Sequence, residues 1–417
     1  MSDAAFLTDF HEVALIGATA SGGVDRQAAT PEDRRTREWF REFAERRGWE
    51  HRVDAIGNQF ALIEFVPDAP YLLLGSHLDS QPLGGRFDGA YGVIAALHAA
   101  DRIQRRAEEG PRPDRNLAVV NWFNEEGSRF APSIMGSSVF AGIMDETEML
   151  GTTDLDGVSV AEALEAIGYR GEGSRPTLAG YAEIHIEQGR ILEREGIDLG
   201  AVDFSWYTQK LDIEIHGEQS HTGATAMADR RDALVGAARL ILKVREVVAE
   251  FEPETLVSSV GRFTHEPNSP IVVPRHARLV ADLRSVSKDT VLAARARLLE
   301  EIERVAAEED LEITATDFDV RDHQRFPEAG VALVEQTAAD LGLSVRRIRT
   351  MAGHDSIAMN RITPSLMIFI PSVDGVSHCE REFTRDADML NGLAALSEVA
   401  WRMLQGALDR VEAEAAR

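Results

Sequence analysis

"YLLLGSHLDSQPLGGRFDGAYGV", residues 71–93, passes from an apolar start into a loop holding His77, Asp88 and five glycines. The start reads as a strand, and "GVIAALHAADRIQRRAEEG" at its end reads as a helix. Strand, glycine loop and helix together open an α/β unit. "NLAVVNWF" (116–123), "YAEIHIE" (181–187) and "SLMIFIPS" (365–372) read as further strands, and "PEDRRTREWFREFAERRG" (31–48) as a helix starting near Pro31 and stopping at Gly48. This alternation predicts an α/β domain with a mainly parallel sheet. By itself, the glycine loop could be a long surface turn or half of a metal site.

Residues 208–321 follow another order. "QKLDIEIHG" is a strand, "MADRRDALVGAARLILKVREVVAE" a helix, and "TLVSSVGRFT" and "HARLVADLRS" are strands. "KDTVLAARARLLEEIERVAAEE" is then a helix and "LEITATDFDV" a strand. That β-α-β-β-α-β order is the ferredoxin-like α+β unit, whose ends lie close enough for insertion into another domain. We therefore expect a discontinuous catalytic domain, 1–207 with 322–417, interrupted by a domain at 208–321. A length of 417 residues suits two domains.

The net charge of −26 argues against nucleic acid and anionic membranes as partners. No stretch has the length and apolarity of a membrane span, and "MSDAAFLTDFHEVALIG" lacks the pattern of a signal peptide. The single cysteine, Cys379, excludes internal disulfides. The expectation is a soluble cytoplasmic protein.

Candidate chemistry gathers at strand ends, where α/β sheets bind ligands. His77 follows "YLLLG", Glu125 and Glu126 follow "NLAVVNWF", and His378 follows "SLMIFIPS". His185 alternates with Ile184 and Ile186 and so points to the polar side of its strand, with Glu183 and Glu187. Each of these alone is more often a solvated or hydrogen-bonded side chain than a ligand. Together with Asp88 they form a nitrogen and oxygen donor set suited to two ions of zinc, manganese, cobalt or nickel. In "NEEG", one carboxylate would bind metal while its neighbour serves as a base. Asp79 reads as an orienter of His77. No serine sits in a nucleophile elbow, and the glycines match no phosphate-binding fingerprint.

"GSHLDSQPLGGRFDGAYGV", "NEEGSRF", "HIEQG", "GHDS" and "GVSHCERE", in that order from residue 75 to 382, resemble the hydantoinase/carbamoylase amidases of the M20 metallopeptidase superfamily. That group holds N-carbamoyl-L-amino acid hydrolases, β-ureidopropionases and allantoate amidohydrolases. The resemblance implies two divalent ions per subunit, zinc or manganese with cobalt or nickel as alternatives. It places His77 and His185 on one ion, Glu126 and His378 on the other, and Asp88 between them. Glu125 would be the general base. Gln188 and Arg284 would bind the substrate carboxylate, and His354 would line the site. His221 of "GEQSHTGATAM" would steady the oxyanion in a neighbouring subunit, which implies a homodimer built through the 208–321 dimerisation (lid) domain. One departure stands out: Ile271 of "PNSPIVVPR" occupies a position where the family usually has asparagine.

The implied reaction is hydrolysis of the C–N bond of an N-carbamoyl (ureido) amino acid, releasing carbon dioxide and ammonia. Allantoate, ureidoglycolate and N-acyl-amino acids are the alternative small-molecule substrates. A non-catalytic binding protein is disfavoured because no ligand and no base is missing.

Overall fold

The computed structural model describes residues 2–408. They form two compact units, one of residues up to Phe204 with those from Arg325 onward, the other Ser205–Gln324.

The larger unit is built on an eight-stranded sheet. Its order is Glu50–Val53, Gln59–Ile63, Asn116–Trp122, Tyr71–His77, Leu178–Ile186, Ser365–Ile370, Leu199–Ser205 and Val345–Thr350. The expected parallel sheet is its central four strands, paired in parallel from Asn116–Trp122 to Ser365–Ile370. Antiparallel strands flank them. The parallel strands are apolar almost throughout because both faces are covered. Asn116–Trp122 is buried at every position, and Tyr71–His77 at all but its first. The Ala90–Glu109 and Asp386–Leu404 helices supply much of the cover, joining Leu74, Val119, Ile184 and Ile368 in one core.

Parallel pairing carries the functional side chains to one edge. His77 is in register with Trp122, and His185 with Phe369. Each chain then turns out of the sheet at the same level. The polar side of the Leu178–Ile186 strand is also buried: Glu183 and His185 are within 1% of full burial.

A polar relay holds the His77 strand end. The Leu78 N–H donates to Asn121 Oδ1 (2.9 Å), and Asn121 Nδ2 donates to Gln59 Oε1 (2.9 Å). Gln59 Nε2 then donates to the Arg37 carbonyl (3.1 Å) and lies 3.1 Å from His51 Nε2. With the Gln59 amide oriented by Asn121, His51 Nε2 must accept, which requires an uncharged imidazole. Burial, with Arg41 and Arg37 adding to it, lowers the His51 pKa from 6.5 to about 4.

The smaller unit is an antiparallel sheet ordered Glu312–Arg321, Tyr207–His216, His276–Ser285, Leu256–Glu266. The Ala233–Val248 and Lys288–Glu309 helices cover one face, burying Leu211, Ile213, Ile215, Leu279 and Ala281. Asp232 caps the first helix by accepting the Leu234 and Val235 N–H groups. Thr208 is paired with Arg321, so the chain enters and leaves this unit at neighbouring points.

The His51 geometry sets a pH dependence. A histidine whose folded pKa lies below its unfolded value favours folding above the unfolded pKa, and that contribution fades on acidification. The melting temperature should fall as pH drops from about 6.5 to about 4. His51→Gln should make that part of the profile shallower, and an unchanged profile would contradict the assignment.

Candidate metal centre

The glycine loop wraps around Asp88. Its Oδ1 lies 3.0 Å from His185 Nε2 and 3.5 Å from His77 Nε2, while Oδ2 lies 3.3 Å from His378 Nε2. His378 Nε2 is also 3.5 Å from Glu126 Oε2. Two groups thus share one carboxylate: His77, Asp88 and His185 on one side, Asp88, Glu126 and His378 on the other. In each, the potential ligand atoms lie within 4.8 Å of one another.

The histidines are oriented for coordination. His185 Nδ1 lies 2.9 Å from the Ile186 carbonyl, and the Gly89 N–H donates to its Nε2 (3.2 Å). His77 Nδ1 lies 3.0 Å from the Asp79 carbonyl. Each ring therefore carries its proton on Nδ1 when neutral and turns the Nε2 lone pair towards Asp88. Asp79 orients His77 through its backbone carbonyl, and its carboxylate, 3.6 Å from His77 Nδ1, also accepts the Glu125 and Glu126 N–H groups (3.3 Å each). Gln81 holds Glu126 through its own N–H (3.1 Å) and its side-chain amide (2.8 Å).

Two glycines make room for this packing. Gly89 has φ +62, and a Cβ there would overlap the His77 ring. A Cβ on Gly85 would overlap the Glu382 carboxylate. Glu382 was not singled out in the sequence. Its Oε1 accepts the Phe87 and Asp88 N–H groups (2.9 and 3.0 Å), and Ser377 Oγ donates to its Oε2 (2.8 Å). It ties the Asp88 loop to the His378 loop.

Electrostatics mark the cluster as one built for cations. Burial alone would strip protons from the imidazoles, yet the surrounding carboxylates prevail: Glu125, Asp79 and Asp88 raise His77 well above its usual range, and Asp88 and Glu183 raise His185. Burial likewise opposes a proton on half-exposed His378, but Glu126 and Asp88 lift it to about 10. Asp88 is buried too, yet His185 and the other imidazoles hold it well below the carboxylate range. Burial raises Glu125 well above its usual value, with Asp355, Glu126 and Asp79 adding to the rise. Glu125 Oε2 lies 3.6 Å from His77 Nε2 and has no place in either ligand group.

Gln188, at φ +56, donates from Nε2 to Asp88 Oδ2 (2.7 Å) and to Ser377 Oγ (3.1 Å); its buried Oε1 accepts no hydrogen bond. His354 packs edge-on to His185 with ring centroids 4.6 Å apart, and its Nε2 is buried without a partner. Burial, then His185, keeps it neutral. Behind it, Ser137 bonds Asp355, and Glu183 accepts Ser76 Oγ (2.8 Å) and the Ser356 N–H (2.8 Å).

The structure thus gathers His77, Asp88, Glu125, Glu126, His185, Gln188, His354 and His378 in the larger unit. His221 and Arg284 belong to the smaller one. His221 Nδ1 accepts the Gly223 and Ala224 N–H groups (3.0 and 3.1 Å), and Arg284 forks onto Asp282 (2.7 and 3.1 Å).

Residues 73–402 match the model of peptidase family M20/M25/M40. The chain belongs to that family. Within it, the chain is 34% identical to an N-carbamoyl-L-amino-acid amidohydrolase of Rhizobium meliloti, over 89% of each chain. A Mycolicibacterium smegmatis protein named only as a hydrolase is 49% identical over 98% of this chain and 94% of its own. An allantoate amidohydrolase of Bacillus subtilis is 30% identical, over 95% of this chain and 97% of the other. Among solved structures, an amidase of the hydantoinase/carbamoylase family from Burkholderia vietnamiensis superposes with a TM-score of 0.91. It is 35% identical, and the match covers 96% and 97% of the two chains. This M20 member is therefore an amidohydrolase, acting on C–N bonds other than peptide bonds. Among the described residues, no helix is long and apolar enough to cross a membrane.

Because the His77 ring fills the space beside Gly89, Gly89→Ala should weaken metal binding at least tenfold while helical content is retained. Equilibrium dialysis reads the first and circular dichroism the second. Undiminished affinity would contradict the packing argument.

Proposed function

We propose that this M20 member hydrolyses the C–N bond of an N-carbamoyl amino acid with the aid of two divalent ions. The observation that carries the reading is the shared Asp88 carboxylate between two oriented donor groups, with Glu125 buried beside them and belonging to neither. Zinc or manganese fits the donors, with His77 and His185 holding one ion, Glu126 and His378 the other, and Asp88 both. When bound, such a pair supplies Lewis-acid polarisation and activates water at neutral pH.

The chain's own residues do the rest. Glu125 takes a proton from the attacking water and delivers it to the leaving nitrogen. Its burial among carboxylates raises its proton affinity, as a group that both accepts and returns a proton requires. Asp79 fixes the Glu125 backbone, so the base is positioned before substrate arrives. Gln188 and uncharged His354 each keep a buried polar atom unpartnered, which suits them to holding substrate.

In this reading Arg284 receives the substrate carboxylate, for which its planar fork is matched. His221, its Nδ1 occupied by two backbone N–H groups, presents Nε2–H to the developing oxyanion of a partner subunit. The Ser205–Gln324 unit would then be the dimerisation (lid) domain of a cytoplasmic homodimer. Ile271, two-thirds exposed, lies where the Val272–His221 pairing brings it close to that histidine. An apolar side chain there favours a less polar substrate end than asparagine would.

Metal-reconstituted protein assayed for ammonia release should turn over N-carbamoyl amino acids faster than allantoate, ureidoglycolate or N-acyl-amino acids. Turnover of acyl substrates without any of carbamoyl ones would overturn the proposal. Chelation should abolish activity. Glu125→Gln should retain both metals while kcat falls by about 10²–10⁴; full turnover in that variant would remove Glu125 from its role.

A further inference from the structure

A second cluster of ligand-capable side chains lies entirely within the Ser205–Gln324 unit, on residues that have no part in the site above. In the Tyr207–His216 strand, Leu211, Ile213 and Ile215 face the helices. Ala277, Leu279 and Ala281 do so from the His276–Ser285 strand. Strand alternation then puts Glu214, His216 and His276 on the opposite, helix-free face.

His216 and His276 are direct cross-strand partners. The Gly217 N–H donates to the Arg275 carbonyl (2.7 Å), just beyond them. That bond makes the histidines a non-hydrogen-bonded pair, the kind whose side chains approach more closely. Their ring centroids are 4.8 Å apart with planes inclined by 32°. Glu214, two residues along the same face, places its carboxylate 3.6 Å from His216 Nε2. One ligand atom from each of the three lies within 4.8 Å of the others.

The surroundings favour a cation. Glu312 is the register partner of His216 on one side, and Glu266 that of His276 on the other. The row across the sheet is therefore acid, histidine, histidine, acid. Two arginines face it. Arg278 is engaged by Asp212 at 2.8 Å and stays 3.8 Å from Glu214, and Arg275 lies 3.6 Å from Glu266.

We propose that Glu214, His216 and His276 form a surface site for one zinc, nickel or copper ion. Two imidazoles and one carboxylate suit such ions, whereas calcium and magnesium prefer all-oxygen shells. The His216 and Glu214 side chains are 48% and 40% exposed, so water can complete the shell of such an ion. An ion held from two neighbouring strands pins their register and, by binding only the folded chain, stabilises it.

The test uses the full chain, stripped by chelation and titrated with Zn²⁺ under calorimetry, beside His276→Gln and a His216→Ala/His276→Ala double variant. Wild type should take up one more equivalent than the double variant. The single variant should hold that equivalent at least tenfold more weakly, with amidase activity unchanged in both. Saturating zinc should raise the melting temperature of the wild type more than that of the double variant. Equal stoichiometry and affinity in all three proteins would overturn the site. An extra equivalent that persists in the double variant would overturn it as well.

Discussion

The polar groups at the strand ends of the larger unit converge on one buried carboxylate, Asp88, held between three imidazoles. A buried charge is tolerated only where partners compensate it. Here each oxygen of Asp88 faces a different histidine set, and its loop is bound from behind by Glu382. The fold supplies these partners by bringing parallel strands to a common edge, so that residues more than a hundred positions apart emerge side by side. The apolar runs of the strands are the means, since a parallel sheet forms where both of its faces are covered.

Acidic density explains the other arrangements. Glu125, Glu126, Asp79, Glu183, Asp355 and Glu382 all lie within the buried region around Asp88. Burial, helped by Asp88, raises Glu382 to about 7, and burial, helped by Glu183, raises Asp355 well above the usual carboxylate value. So many carboxylates would repel one another in an apolar core. Protonated imidazoles offset them in the bare chain, and divalent ions are suited to replace those protons. Burial and the same neighbouring carboxylates raise the proton affinity of Glu125 in the bare chain.

Part of this was legible in the sequence. The strand starting at Tyr71, the long helix after it and the β-α-β-β-α-β run are written in local periodicity, which needs no tertiary information. His77, His185 and His378 were legible because ligand-capable residues at strand ends are conspicuous. The Leu199–Ser205 and Val345–Thr350 strands were not read. They flank the parallel core, as do Glu50–Val53 and Gln59–Ile63, which were not read either; "VRRIRT" carries three arginines in six residues, which suggests a surface segment. Glu382 was missed because its partners are backbone N–H groups almost three hundred residues earlier. The faint signal was the second glutamate of "CERE" so soon after His378. Asp79 was legible as the residue that orients His77, and both its backbone carbonyl and its carboxylate lie against the His77 ring.

The central claim is that Asp88 is shared by two ions. Anomalous diffraction from crystals of the zinc-loaded protein addresses it directly. Two peaks about 3.5–4 Å apart should bracket the Asp88 carboxylate, one against His77 and His185 and the other against Glu126 and His378. A single peak there, or a pair that does not straddle Asp88, would contradict it.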